Sequence, residues 1–174
     1  MTDTTHSALG ALEGGYARLI EALTRAGLLL APPVLRLALA MPFFRSGLTR
    51  WDGFFSLNAS TTYLFEEEFK LHILGREFTF PWPDMVAYVV GTAEICLPIL
   101  LVLGFATRPV ALALLVMTGV IQLVVPDGWA NFHIHWAAEA IAIMALGPGF
   151  LSLDHLIGGL RRPRAVIGAT PNTG

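Results

Sequence analysis

Residues 85–104 read MVAYVVGTAEICLPILLVLG, twenty residues in which Glu94 is the only charge. At 1.5 Å per residue such a helix covers about 30 Å, the thickness of a bilayer's hydrocarbon core. Comparable runs flank it. Residues 28–48 (LLLAPPVLRLALAMPFFRSGL) form a first apolar segment. Residues 108–125, between Thr107-Arg108-Pro109 and Pro126-Asp127-Gly128, form a third, and 132–151 a fourth. Across the 174 residues, 55% are hydrophobic and 14% charged, where soluble domains carry roughly 25% charge. The mean hydropathy is +0.64. The sequence therefore predicts an all-α integral membrane protein, a four-helix transmembrane bundle with a long, partly helical outer loop between spans one and two.

The flanks refine this reading. Residues 1–15 are polar and small, with no apolar core ahead of a processing site, so the first segment is expected to be kept as a span. Residues 1–27 divide into a poorly ordered polar leader and a stretch with helical spacing, 17–27 (ARLIEALTRAG). That stretch is either an interfacial helix or an extension of span one. Pro32 and Pro33 are expected to break the start of span one and Pro42 to kink it. The connection to span two, about 36 residues, is long enough to carry structure of its own. Leu64, Phe65, Phe69 and Leu71 can share one face of a helix starting near Ser60. Such a helix either lies on the membrane surface or covers a pocket between the spans.

Charge gives an orientation. Arg18, Arg25, Arg108, Arg161, Arg162 and Arg164 fall on one side, and Arg50, Lys70 and Arg76 within an acidic loop on the other. Basic residues mark the cytoplasmic side, so both termini, including a basic tail at 157–174, are expected in the cytoplasm. Trp51, Trp82, Trp129 and Trp136 then gather at the outer boundary. The net charge of −2 provides no basic footprint for nucleic acid. The single cysteine, Cys96, excludes an internal disulfide and a C-x-x-C redox pair. No P-loop, GxSxG, HExxH or dinucleotide glycine pattern is present.

Function is then sought in the few polar residues within hydrocarbon, because each is expensive there. Arg36 and Glu94 lie at similar depth when counted from the ends of spans one and two, so a buried Arg36–Glu94 pair is expected, or else a snorkelling Arg36. Eleven residues separate Arg36 from Gly47, a rotation of only about 20°; Phe43 and Arg50 lie close to the same face, while Arg45 points away. Gly47 allows close approach of a helix or of a ligand. On span four, His135 and Glu139 are one turn apart and share a face, whereas His133 does not. These are interfacial histidines, or groups that handle protons beside a bound molecule, or, for His133 and His135, ligands of zinc or copper. Trp51 and Trp136 provide apolar walls. The candidate ligand-binding set is thus Arg36, Gly47, Arg50, Trp51, Glu94, His135, Trp136 and Glu139, with the small faces at Gly91, Ala93, Ala137 and Ala138 available for self-association.

Three stretches together resemble the DoxX family of bacterial inner-membrane proteins: Arg36, Gly47 and a basic residue at position 50; EICLPILLVLGFATR at 94–108; and GPGFLSLD at 147–154. The resemblance covers residues 28–156. It implies four transmembrane helices in the bacterial inner membrane and an association with redox chemistry, through relatives that are subunits of quinone-reducing oxidoreductases. Other relatives accompany copper-linked, post-translationally modified peptides, and the segments SGLTRWDGF and EEEFKLH look closest to these. The expected role is an accessory subunit of a redox or quinone-linked system holding a quinone or similar amphiphile between helices. The alternatives are a non-catalytic membrane partner of a copper-stress or modified-peptide system, working with a membrane or periplasmic protein, and a purely structural subunit.

Overall fold

The computed structural model describes residues 3–54 and 56–161. The chain is mostly helical, and among the described residues three helices are long and apolar enough to cross a membrane. Helix α1 (Asp3–Leu48) is followed by a loop region holding two small antiparallel hairpins, β1 (Trp51–Gly53) with β2 (Ser56–Leu57) and β3 (Lys70–Ile73) with β4 (Arg76–Thr79). Between the hairpins lies a short helix α2 (Ala59–Tyr63), continued by a π turn over Leu64–Glu68. Then come α3 (Pro83–Leu103), α4 (Thr107–Val124), α5 (Ile134–Leu146) and α6 (Leu153–Arg161). Helix α1 packs on α3 and α5, and α4 packs on α5 and α3. Leu39, Phe43, Leu101, Leu114, Ala140 and Ile143 meet at the centre with almost no exposed surface.

Several expectations are corrected. Helix α1 begins at Asp3 and runs unbroken past Pro32, Pro33 and Pro42. The 17–27 stretch is therefore an extension of the first span, and residues 3–16 are helical. Apolar surroundings favour this outcome, since a helix in lipid must keep every backbone bond it can. The fourth apolar segment stops at Leu146 rather than 151. Gly147 and Gly149 both take positive φ, and Pro148 between them donates no backbone hydrogen bond. A π turn over Trp129–His133 extends α5 at its other end. Of the tail at 157–174, residues 162–174 lie outside the described residues.

The loop helix is also shorter than its spacing implied. Phe69 is extended and Leu71 sits in β3. Residues 69–73 and 77–80 alternate apolar and polar side chains, the period of a strand. Leu74 and Gly75, both at positive φ, close the hairpin in the manner that matches strand twist.

The stagger of α1 against α3 positions everything else. A Cβ on Gly47 would lie 2.9 Å from the carbonyl group of Glu94, so the two backbones touch there. Eleven residues earlier on α1, Arg36 lies against Gly104, just past the end of antiparallel α3. Helix α1 therefore ends level with the middle of α3, and α3 projects some ten residues, about 15 Å, beyond it. The loop region wraps that projection: Trp51 packs on Gly91 and stacks edge-on against Tyr88 at 5.3 Å.

Candidate functional site

The stagger decides which charges meet. Glu94 is not paired with Arg36. Its carboxylate accepts from Arg50, through Nε to Oε2 and through Nη2 to Oε1 at 2.9 Å. Depth counted from helix ends assumes that the ends are level, and they are not. Ser46 adds a hydroxyl 3.3 Å from Glu94 Oε1. The Glu94 side chain is 2% exposed and that of Arg50 12%. Two parallel bonds in fork geometry are the strong form of a charged pair.

Arg50 is fixed from behind by its own main chain. Its carbonyl accepts from the Asn58 backbone at 2.9 Å and from the Thr61 hydroxyl at 3.3 Å. Asn58 Oδ1 caps α2 by accepting from Thr61 N at 2.6 Å, and its Nδ2 donates to the Thr49 carbonyl at 2.6 Å. The guanidinium lies over the Phe65 ring, 5.3 Å from its centre, a cation–π placement. Arg50 Nη1 makes no hydrogen bond within the described residues.

This pair forms part of the wall of a cavity of about 200 Å³. Phe43 and Pro42 of α1, Val86 and Val90 of α3, and Val120, Ile121 and Val124 of α4 line it. Phe65, Phe69 and Phe80 close it from the loop, and Trp136 of α5 forms the far side. Ser46, Arg50 and Glu94 are its polar contributors. An engineered dry cavity that binds benzene measures about 150 Å³, so the space suits one substituted six-membered ring. The apolar lining orients nothing; the polar groups available to an oxygen-bearing ligand are those of Ser46, Arg50 and Glu94.

Of the residues singled out from sequence, Arg50, Glu94 and Trp136 are brought together here, and Gly47 supports them through its contact with Glu94. Trp51 lies on the other side of α3, in a cleft with Thr92, Ile95 and Cys96. His135 and Glu139 line a separate groove between α1 and α5, with Arg45 and Asn131, on the far side of Trp136. His133 is buried, its Nδ1 2.6 Å from Gln122 Oε1 and its ring 5.3 Å from that of Trp136. His133 and His135 do not converge, and among the described residues no three His, Cys, Asp or Glu side chains group as metal ligands would.

Arg36 belongs to a second polar layer at the opposite end. It is 2% exposed and donates through Nη2 to the Leu151 carbonyl. Beside it, Asp154 binds the turn between α3 and α4: its carboxylate accepts from Ala106 N, Thr107 N and Thr107 Oγ1, each at 2.8 Å. Asp154 N returns a bond to the Gly104 carbonyl at 2.9 Å. Burial pushes the Asp154 carboxyl up, but the Thr107 and Ala106 bonds and the Arg36 charge outweigh it and hold it below its ordinary value. The SLD stretch at 152–154 thus ties the chain's end to the α3–α4 turn, where Gly104 at positive φ closes a Schellman motif with Leu100 and Leu101.

Phe65 and Phe69 belong to the face that the sequence offers as the cover of a pocket, but as part of a single helix, and Phe80 is not singled out by the sequence at all. The aromatic spacing was visible, but assigning it to the cavity required the hairpin and the projection of α3.

No curated protein and no solved structure matches the chain. The DoxX family model matches residues 31–127, which hold α1 from Ala31, the whole loop region, α3 and α4. The GPGFLSLD stretch lies beyond that match. With more than half of its length covered, the chain belongs to the DoxX family of membrane proteins.

Proposed function

We propose that the protein is an accessory subunit of a redox or quinone-linked membrane system and holds a quinone-like head group between its helices. In this reading α1, α3, α4 and the run through α5 form a four-span bundle. It sits in the bacterial inner membrane with both termini in the cytoplasm and the loop of residues 49–82 outside. The observation that carries the reading is the cavity of about 200 Å³, apolar on nearly every side, with an Arg50–Glu94 pair in its wall. Ligand sites pair such apolar walls with a few convergent polar groups. A ring carbonyl can accept from Arg50 Nη1 while Glu94 keeps the guanidinium in place. The α2 segment and the phenylalanines at 65, 69 and 80 act as a lid that excludes water. Binding and orientation are the functions this assigns to the chain; electron transfer is left to a partner.

The test is purification in mild detergent, lipid-extract mass spectrometry, and titration with a short-tailed benzoquinone followed by Trp136 fluorescence. Saturable quenching that is lost in Trp136→Phe, with binding still measurable by calorimetry in that variant, supports the proposal. Absence of any co-purified quinone and of saturable binding would refute it.

A further inference from the structure

We propose that the β3–β4 hairpin is a membrane-dipping flap whose tip lies in the headgroup–acyl boundary of the leaflet on the loop side. The hairpin is tied to a spanning helix: His72 Nδ1 lies 3.1 Å from the Leu123 carbonyl in the last turn of α4. Helix α4 has 18 residues, about 27 Å, and so only just covers a hydrocarbon core of about 30 Å. Its last turn cannot stand clear of the membrane, and what it holds stays at the boundary with it.

The register of the hairpin fits that depth. Leu71 pairs with Phe78 and Ile73 with Arg76, whereas Lys70 pairs with Thr79 and His72 with Glu77. One face is therefore largely apolar and the other polar. At the base the apolar strip continues into Phe69 and Phe80, which cover the cavity. Further out the protein ceases to cover it: Ile73 is 39% exposed, Phe78 47% and Leu74, at the tip, 99%. A hairpin standing in water would not hold three large apolar side chains outward on a two-stranded ribbon; at a lipid boundary that exposure is favourable. Arg76, opposite Ile73 at the tip end, is long enough to extend from the immersed strip back to phosphate groups, while Lys70 at the base donates to the Glu66 carbonyl at 2.9 Å.

The experiment places a fluorophore at the tip. In a Cys96→Ala background, Leu74→Cys and, separately, Phe78→Cys are labelled with bimane and reconstituted into phosphatidylcholine–phosphatidylglycerol vesicles. Glu67→Cys, on the exposed side of the π turn, serves as the water-facing control. Quenching by lipids carrying a nitroxide near the top of the acyl chain is compared with quenching by aqueous iodide. The flap predicts at least threefold stronger lipid quenching at positions 74 and 78 than at 67, with iodide quenching reduced by a similar factor. Iodide quenching equal to that at 67 overturns the proposal. Protection from both quenchers overturns it too, because it would assign the tip to a protein contact. Agreement of the two labelled positions guards against one substitution disturbing the turn.

Discussion

Replacing Glu94 by Ala removes the counter-charge from a guanidinium with 12% of its side chain exposed. Breaking a buried pair from one side costs about 3–5 kcal/mol, since the remaining charge stays desolvated. Arg50 lies near the low end of that range: the cavity gives its outer edge some freedom, and Ser46 Oγ remains 3.4 Å from Nη2. A loss of about 3 kcal/mol corresponds to roughly a hundredfold shift in the unfolding equilibrium. Arg50→Ala should lose a similar amount, by orphaning Glu94 and by withdrawing packing from Phe65. The double variant Arg50→Met/Glu94→Leu should regain most of the loss, because an apolar pair of similar volume is often as stable as the ions it replaces. The assay is unfolding from mixed micelles into dodecyl sulfate, followed by tryptophan fluorescence. If the two alanine substitutions add to within about 0.5 kcal/mol, the side chains are uncoupled and the account of the site is wrong. The same double variant separates fold from function: it should be stable and yet fail to bind the benzoquinone, because Arg50 Nη1 is gone.

Three further outcomes follow from single contacts. Gly47→Ala puts a methyl group 2.9 Å from the Glu94 carbonyl group; the helices must part, costing about 1–3 kcal/mol and lowering the melting temperature in detergent, and the Arg50–Glu94 geometry should loosen enough to weaken ligand binding as well. Asp154→Ala removes the three bonds to Ala106 and Thr107 and should cost about 1–2 kcal/mol at neutral pH, allowing for partial exposure of the carboxylate. The pH dependence has a definite sign. The native carboxyl is held below its unfolded value of about 3.9, so its contribution is complete above that value and drains as pH falls through the lower native one. Melting curves of wild type and Asp154→Ala should converge in that acid window and separate above it. Finally, Glu139→Gln and His135→Ala, in a groove apart from the cavity, should leave benzoquinone affinity within twofold of wild type; a tenfold loss would show that groove and cavity are one site.

What could be read from the sequence was what repeats along one helix. Arg36, Phe43, Gly47 and Arg50 share a face by simple rotation, and the first three are buried while Arg50 turns into the cavity. Gly47 proved to admit a helix rather than a ligand. Partner choice between helices was not legible, because it depends on axial stagger. Arg36 and Glu94 were each about a dozen residues from a helix end, and nothing local to either says that α3 starts some ten residues above the end of α1. The strand pattern at 69–80 was present but competed with helical spacing over 64–71, and a three-glutamate run just before it obscured the change of period.

The stagger also explains why the candidate site lies where it does. Where α1 stops, level with the middle of α3, the bundle would lose one wall, and the loop region supplies it. In the proposed four-span arrangement the start of the loop lies within the bilayer's outer half, where non-helical backbone is tolerated only if its polar groups are satisfied within the protein. The loop meets this condition through Asn58 and Thr61, whose bonds go to the carbonyls of Thr49 and Arg50. Those same bonds fix Arg50, so the residues that make an irregular wall possible also set a guanidinium that lines the cavity. Helix packing alone would have filled this volume with side chains; a wall of loop and aromatic rings leaves it open. Asn58→Ala tests the connection. It should reduce ligand affinity more than its cost of about 1 kcal/mol in capping implies, because it frees Arg50 as well as the α2 terminus. A variant that loses stability by that amount with affinity unchanged would show that Arg50 is held by Glu94 alone.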